Sequence, residues 1–176
     1  MEGPDEKARF IGDMSRLAFL VLTFLAATAS ATEITRESVI AEMNVRRARI
    51  GLSPLRQEPR LTEAAQDRMR DMEEQGYWSH TSPDGRSPFE WLRPRGYQFA
   101  YAGENLAAGF ETAEVLVDGW MESKGHRENI LSPFYSECGV AIIEGATTGK
   151  QSGRSIVVMF ARPQVSQTSS RSVRSD

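Results

Sequence analysis

Helical hydrophobic spacing dominates the chain up to about residue 131 and β-branched runs follow it, which predicts an α+β layered domain rather than alternating βαβ units. Three observations carry this. Val39, Ile40, Met43 and Ile50 recur near one face of a helix, and Leu61, Ala64, Ala65, Met69 and Met72 do the same in a second. Residues 139–143 and 155–160 are rich in Val and Ile, and a polar loop at 145–153 joins them, the pattern of a hairpin. The size agrees, since 176 residues hold one domain of ordinary length plus extensions. Such a chain buries enough surface to fold without staples.

Each element has its own local reason. Thr35 can N-cap a helix that runs to about Ile50, where Gly51 ends it and Pro54 follows. The second helix is expected from near Leu61 to Gly76. Ser82-Pro83-Asp84-Gly85 is a turn, with Pro at its second position and Gly at its fourth. A short helix fits residues 88–92, stopped by Pro94 and Gly96. Tyr97, Phe99 and Tyr101 alternate with Gln98 and Ala100, as in a strand with one aromatic face; the alternative is a lipid-facing lip of a cleft. Residues 103–109, GENLAAG, read as a loop or short turn between glycines. Thr112 caps the next helix, with Val115, Leu116, Gly119 and Trp120 on a shared stripe. Gly125 is expected to interrupt it before residues 126–131 continue as a further turn. Residues 163–176 are rich in Ser, Gln and Arg and read as a disordered tail. No repeat with a period of 20–50 residues is present.

The N-terminus reads as an address. Residues 17–31, LAFLVLTFLAATASA, form an apolar run behind Arg16 and end in Ala29-Ser30-Ala31, the small residues of a cleavage site. The run is shorter than the roughly 20 residues of a membrane span. Residues 1–31 are therefore expected to be a signal peptide, with Met14 the more ordinary start, and the mature domain to cover 32–162. The protein is expected to be secreted or periplasmic, with no stable membrane span once the signal is removed.

Composition excludes several function classes. A net charge of -3 argues against nucleic acid as a partner, because phosphate recognition needs a basic face. A mean hydropathy of -0.42 excludes a polytopic membrane protein. Cys138 is the single cysteine, which excludes an internal disulfide and a cysteine-based structural zinc site; it reads as a small buried hydrophobe. Neither H-E-x-x-H nor G-x-S-x-G occurs. Residues 145–151 mimic a phosphate loop but are one residue short, end in Gln151 and lead into a strand.

His80 and His126 are the two histidines, and Glu104 lies between them in segments dense with Gly, Pro, Ser and Asn. Their spacing is too wide for a local motif, so only the fold can bring them together. From spacing alone, histidines hydrogen-bonded within turns are the plainer reading. Trp120 and Trp78 read as core anchors, and Asn105 and Asn129 as side chains that tie loop backbones together. Arg127 could pair with Glu104 or Glu128, or stay solvated.

Three motifs in order carry a resemblance: residues 80–88, HTSPDGRSP; residues 103–107, GENLA; and residues 120–131, WMESKGHRENIL. Together they resemble the bacterial branch of the CAP domain family, the SCP-like extracellular domains, which include cysteine-rich secretory proteins, antigen 5 and plant pathogenesis-related proteins. The resemblance covers roughly Val39 to Ala161. It implies an α-β-α sandwich of three layers around a central antiparallel sheet, with an open cleft lined by two histidines and two acidic residues. His80, Glu104 and His126 match three of those four. The fourth departs: family members with the full set carry Glu three residues after the helix Trp, where this chain has Ser123. Glu122 is one position earlier, about 100° around a helix, and is expected to face elsewhere.

The resemblance makes His80, Glu104 and His126 candidate ligands for a divalent metal, zinc being the most plausible, with a position open to water. Such a site could polarise a carbonyl or activate water. The expected function is binding at this cleft, of a small molecule, a lipid or an extracellular protein, rather than catalysis. The alternatives are a metal-assisted hydrolase of peptide or cell-wall substrates, and a purely structural His/Glu cluster.

Overall fold

The computed structural model describes residues 33–144 and 154–165. The expected signal peptide, the loop at 145–153 and residues 166–176 of the expected tail lie outside the described residues. In chain order the elements are α1 (Arg36–Ala48), β1 (Arg56–Gln57), α2 (Pro59–Gln75), a 3-10 turn (Pro88–Trp91), β2 (Phe99–Ala108), α3 (Ala113–Glu122), α4 (Lys124–Ile130), β3 (Glu137–Ile143) and β4 (Ser155–Pro163).

The helix ends follow side-chain chemistry. Thr35 caps α1 reciprocally: its hydroxyl accepts from the Ser38 N–H at 3.1 Å, and the Ser38 hydroxyl accepts from the Thr35 N–H at 2.9 Å. α2 begins two residues before Leu61, because the Glu58 carboxylate accepts the Arg60 N–H and Pro59 is preset for the first turn. It ends at Gly76 in the left-handed conformation, φ 67°. The break between α3 and α4 falls at Ser123, with ψ 122°, and not at Gly125, which lies inside α4.

β4 is the centre of the sheet, whose order is β1-β3-β4-β2. Its pairings with β2 and β3 are antiparallel, whereas the two-residue β1 joins β3 in parallel, so the sheet is mixed at that edge. Alternation along β4 divides the core into two. Ile156, Val158 and Phe160 pack with α1, α3 and α4, through Val39, Met43, Leu116 and Trp120. Val157, Met159 and Ala161 pack with α2 and the 3-10 turn, through Leu61, Met69, Met72 and Trp91. A sheet buried on both faces between two helical layers is the three-layer sandwich that the sequence motifs imply.

Four local expectations are corrected. Residues 103–108 are strand and not loop: they pair with β4 from Gly103↔Phe160 to Ala108↔Ser155, and that pairing overrides the low strand preference of glycine. The aromatic alternation fails at a register shift between Phe99 and Tyr101. Tyr97 is thereby buried ahead of the strand, and Tyr101 is exposed and stacked on Phe134 at 4.8 Å. Ile50 and Val115 point outward, each 57% exposed, since Ile50 follows the end of α1 and Val115 lies one residue off the buried stripe of Leu116 and Trp120.

Two close fits hold the layers in register. Arg47 is buried and its guanidinium donates to the carbonyls of Ser53, Ile130, Ser132 and Tyr135 at 2.8–3.2 Å, which ties α1 to the chain leaving α4. At Gly139 the backbone of α2 comes so near β3 that a Cβ would stand 2.1 Å from the Thr62 nitrogen and 2.2 Å from the Leu61 carbonyl carbon. Both are main-chain atoms and cannot rotate aside. Gly139→Ala is therefore expected to cost about 3 kcal/mol or more, at or beyond the upper end of ordinary overpacking, measured by urea unfolding. A loss below about 1 kcal/mol, within the tolerance of volume-conserving swaps, would show that α2 can lift off the sheet freely.

Candidate functional site

The stripe that α2 turns to the sheet reads Leu61, Ala65, Arg68 and Met72, so a guanidinium occupies an apolar position. Arg68 has no exposed side-chain surface, and each of its polar atoms is matched. Nε donates to Glu104 Oε2 at 3.2 Å, Nη1 to the Tyr77 hydroxyl and Nη2 to the Ser79 carbonyl. Asp71 Oδ2 lies 3.7 Å away, and the Trp91 ring centroid 4.7 Å from the guanidinium carbon.

Glu104 comes from β2 and is 2% exposed. Its second oxygen, Oε1, accepts from His80 Nδ1 at 2.8 Å. His80 sits on the turn after α2, with 56% of its side chain exposed. A chain of charge thus leads from the buried Arg68 through Glu104 to an imidazole at the surface. His126, on α4, is half-buried; its ring centroid is 6.4 Å from that of His80 and 6.4 Å from that of Trp120.

β2 is an edge strand, and three side chains cap its carbonyls. Tyr135 donates to Ala102 O at 3.0 Å, Asn129 to Glu104 O at 3.0 Å and Trp120 to Leu106 O at 3.1 Å. These alternate along the strand, so the exposed edge is occupied by donors from the α3–α4 side. Asn129 also donates to Asn105 Oδ1, and Asn105 to the His126 carbonyl, which fixes α4 to β2. Gly103 makes this possible: a Cβ there would lie 2.5 Å from the Tyr135 hydroxyl and 2.8 Å from Asn129 Oδ1. The result is an open groove of about 460 Å3 lined by His80, Phe89, Gly103, Glu104, Asn129 and Tyr135.

The sequence motifs thus bring His80 and Glu104 into direct contact, with the His126 ring 6.4 Å from that of His80. Asn105 and Asn129 do bond to backbone carbonyls, but they join strand β2 to helix α4 and not one loop to another. Arg127 does not pair with Glu104 or Glu128: its Nη1 donates to the Met121 carbonyl at 2.7 Å and closes the end of α3. Arg68, with Asp71, Tyr77 and Trp91, escaped sequence reasoning. The available signal was a charged residue within the apolar stripe of α2, where only a paired charge can be buried.

The two imidazoles are biased in opposite directions. The hydrogen bond to Glu104, and then its charge, hold the His80 pKa above the ordinary histidine value. Burial, and then the charge of His80, hold that of His126 below it. Folding therefore gains stability from His80 that is present below the unfolded value and lost as pH rises through its raised pKa. His126 acts with the opposite sign: its contribution is present above the unfolded value and lost as pH falls through its lowered pKa.

Both Glu104 oxygens are engaged, one of them by a cation. Among the described residues no group of three His, Cys, Asp or Glu side chains is arranged to hold a metal ion. Ser123 stands at the break before α4, and Glu122 is exposed. As they stand, these residues do not fit the zinc centre that the motifs suggest.

A three-layer sandwich carrying a His/Glu groove at its edge strand defines an SCP-type domain. The chain belongs to the cysteine-rich secretory protein (CAP) family, whose model matches residues 40–160. It is 35% identical over 122 residues to YkwD of Bacillus subtilis, covering 69% of this chain and 48% of that protein. It is 33% identical over 111 residues to the membrane protein YlbC of the same organism, covering 62% and 32%. The chain thus spans about half the length, or less, of these relatives. An extracellular SCP-domain protein from Bacillus anthracis superposes with a TM-score of 0.62 at 26% identity, over 72% of this chain and 40% of that one. An outer surface protein from Borrelia burgdorferi has the same fold, with a TM-score of 0.64 at 21% identity, over 77% and 100%.

Because these are the only two histidines, their titration by NMR is read without ambiguity. His80 is expected to titrate above about 6.5 and His126 below it, and Glu104→Gln to bring His80 down. Two coincident midpoints would mean that Glu104 does not hold His80.

Proposed function

We propose that this chain is an exported CAP domain that works by binding, and that its groove takes a ligand with an anionic group at His80 and an apolar part against Phe89. Export would run through the N-terminal segment, residues 1–31. In support, the similar structures include an extracellular protein and an outer surface protein. No helix among the described residues is long and apolar enough to cross a membrane.

The observation that carries the binding reading is the exposure of His80. Arg68 and Glu104 are buried and would serve equally in a purely structural cluster, but such a cluster gains little from an imidazole more than half in solvent. Held by a buried carboxylate, His80 keeps its proton to higher pH than an ordinary histidine, and as a residue lining the groove it can offer its other ring nitrogen as a charge-assisted donor. Neither imidazole is hydrogen-bonded to a Ser, Thr or Cys side chain among the described residues, so the reading stops at binding and assigns no nucleophile.

The test is an amide-shift titration with N-acetyl dipeptides that have a free carboxylate and an apolar C-terminal residue. Saturable shifts at Phe89 and Gly103 are expected, weakening as pH rises through the His80 pKa. His80→Ala is expected to weaken binding roughly tenfold or more, which is one charge-assisted hydrogen bond of about 1.5–3 kcal/mol. Equal binding by the amidated dipeptides, or by His80→Ala, would contradict the proposal.

A further inference from the structure

The guanidinium of Arg68 cannot leave Glu104 without leaving its other partners. Nε is on Glu104 Oε2, Nη1 on the Tyr77 hydroxyl, Nη2 on the Ser79 carbonyl, and the Trp91 ring lies 4.7 Å from its carbon. Arg68 has no exposed side-chain surface, and the other Glu104 oxygen is held by His80. We infer that Arg68 is the built-in cation of this cleft: beside Glu104 it takes the place in the charge balance that a divalent metal takes in a His/Glu site, so the cleft orients Glu104 and His80 without a metal and rejects one.

The physical reason is repulsion without escape. A metal ion brought against Glu104 would meet a fixed like charge in surroundings that screen poorly. To bind well it would have to take the Glu104 carboxylate from Arg68, leaving the buried Nε unmatched and only the more distant Asp71, at 3.7 Å, to balance the charge. At the motif position where the family resemblance implies a second acidic residue, this chain has Ser123, which brings no negative charge to offset that cost. Arg68 is on this account a positioning residue, and it sets the ion selectivity of the cleft through Glu104.

The inference concerns the charge balance of the groove and not the identity of its ligand. The carboxylate titration can therefore fail while the zinc result stands, and the reverse. The experiment is zinc calorimetry on the full chain at a pH above both histidine midpoints found by the NMR titration, so that both imidazoles are neutral when a metal competes for them. The wild-type chain is expected to show no saturable one-to-one binding up to about 1 mM zinc. Arg68→Met, which keeps an unbranched stem beside Trp91 and frees Glu104, is expected to gain one-to-one binding at least about 100-fold tighter, and to lose it again when His80→Ala is added. Arg68→Lys, which keeps the charge, is expected to gain nothing. One-to-one zinc binding by the wild-type chain at about 10 μM or tighter, abolished by Glu104→Gln, would overturn the inference even if Arg68→Met failed to fold. So would a folded Arg68→Met chain with no gain.

Discussion

A guanidinium removed from water costs several kcal/mol unless its donors are matched, and at Arg68 this requirement organises one whole side of the domain. The side chain lies between α2 and the sheet, so its partners come from three elements: Glu104 from β2, Tyr77 and Ser79 from the chain leaving α2, and the Trp91 ring from the 3-10 turn. Meeting the requirement fixes the direction in which the chain leaves α2. It also fixes the Glu104 carboxylate, whose free oxygen can reach only the surface, where His80 receives it.

Arg47 makes the useful contrast. It too is buried, but it is matched entirely by carbonyl oxygens, at Ser53, Ile130, Ser132 and Tyr135. Burial lowers its pKa, and its partners are main-chain carbonyls with no further charged group to orient. Such a residue closes the structure locally. Arg68 is matched by a carboxylate, which has a second oxygen to offer, and so the same burial both closes the structure and exports an oriented, charge-biased imidazole. The donors of Tyr135, Asn129 and Trp120 add a rigid floor by capping β2, which otherwise presents an open strand edge.

Much of this was legible in the sequence. The helices, the C-terminal hairpin and the layered class follow from periodicity and capping, whereas His80 and Glu104 stand out only through the family resemblance of their motifs, since spacing alone favours histidines bonded within turns. What was hidden depended on pairings distant in the chain. Gly103 to Ala108 resembles a loop because glycine and alanine have little strand preference; only pairing with β4 makes it a strand. The helix break was assigned to Gly125 because glycine weakens helices, yet the backbone turns at Ser123. Arg68 looked like one of the many charges of α2, because a charge inside an apolar stripe declares itself only when its carboxylate partner, 36 residues away, is known.

The central claim is that Arg68 and Glu104 act as one buried unit. A double-mutant cycle by urea unfolding, with Arg68→Met and Glu104→Gln, measures that directly. Each single substitution removes the charge that faces the other group across the buried pair, although His80 still holds Glu104 and Asp71 still lies near Arg68, and is expected to cost about 3–5 kcal/mol. The double substitution is expected to cost no more than the worse single one, which gives a coupling of about 3 kcal/mol. Additive losses, with coupling below about 0.5 kcal/mol, would mean that the two residues are held independently and that the route from α2 to His80 does not exist.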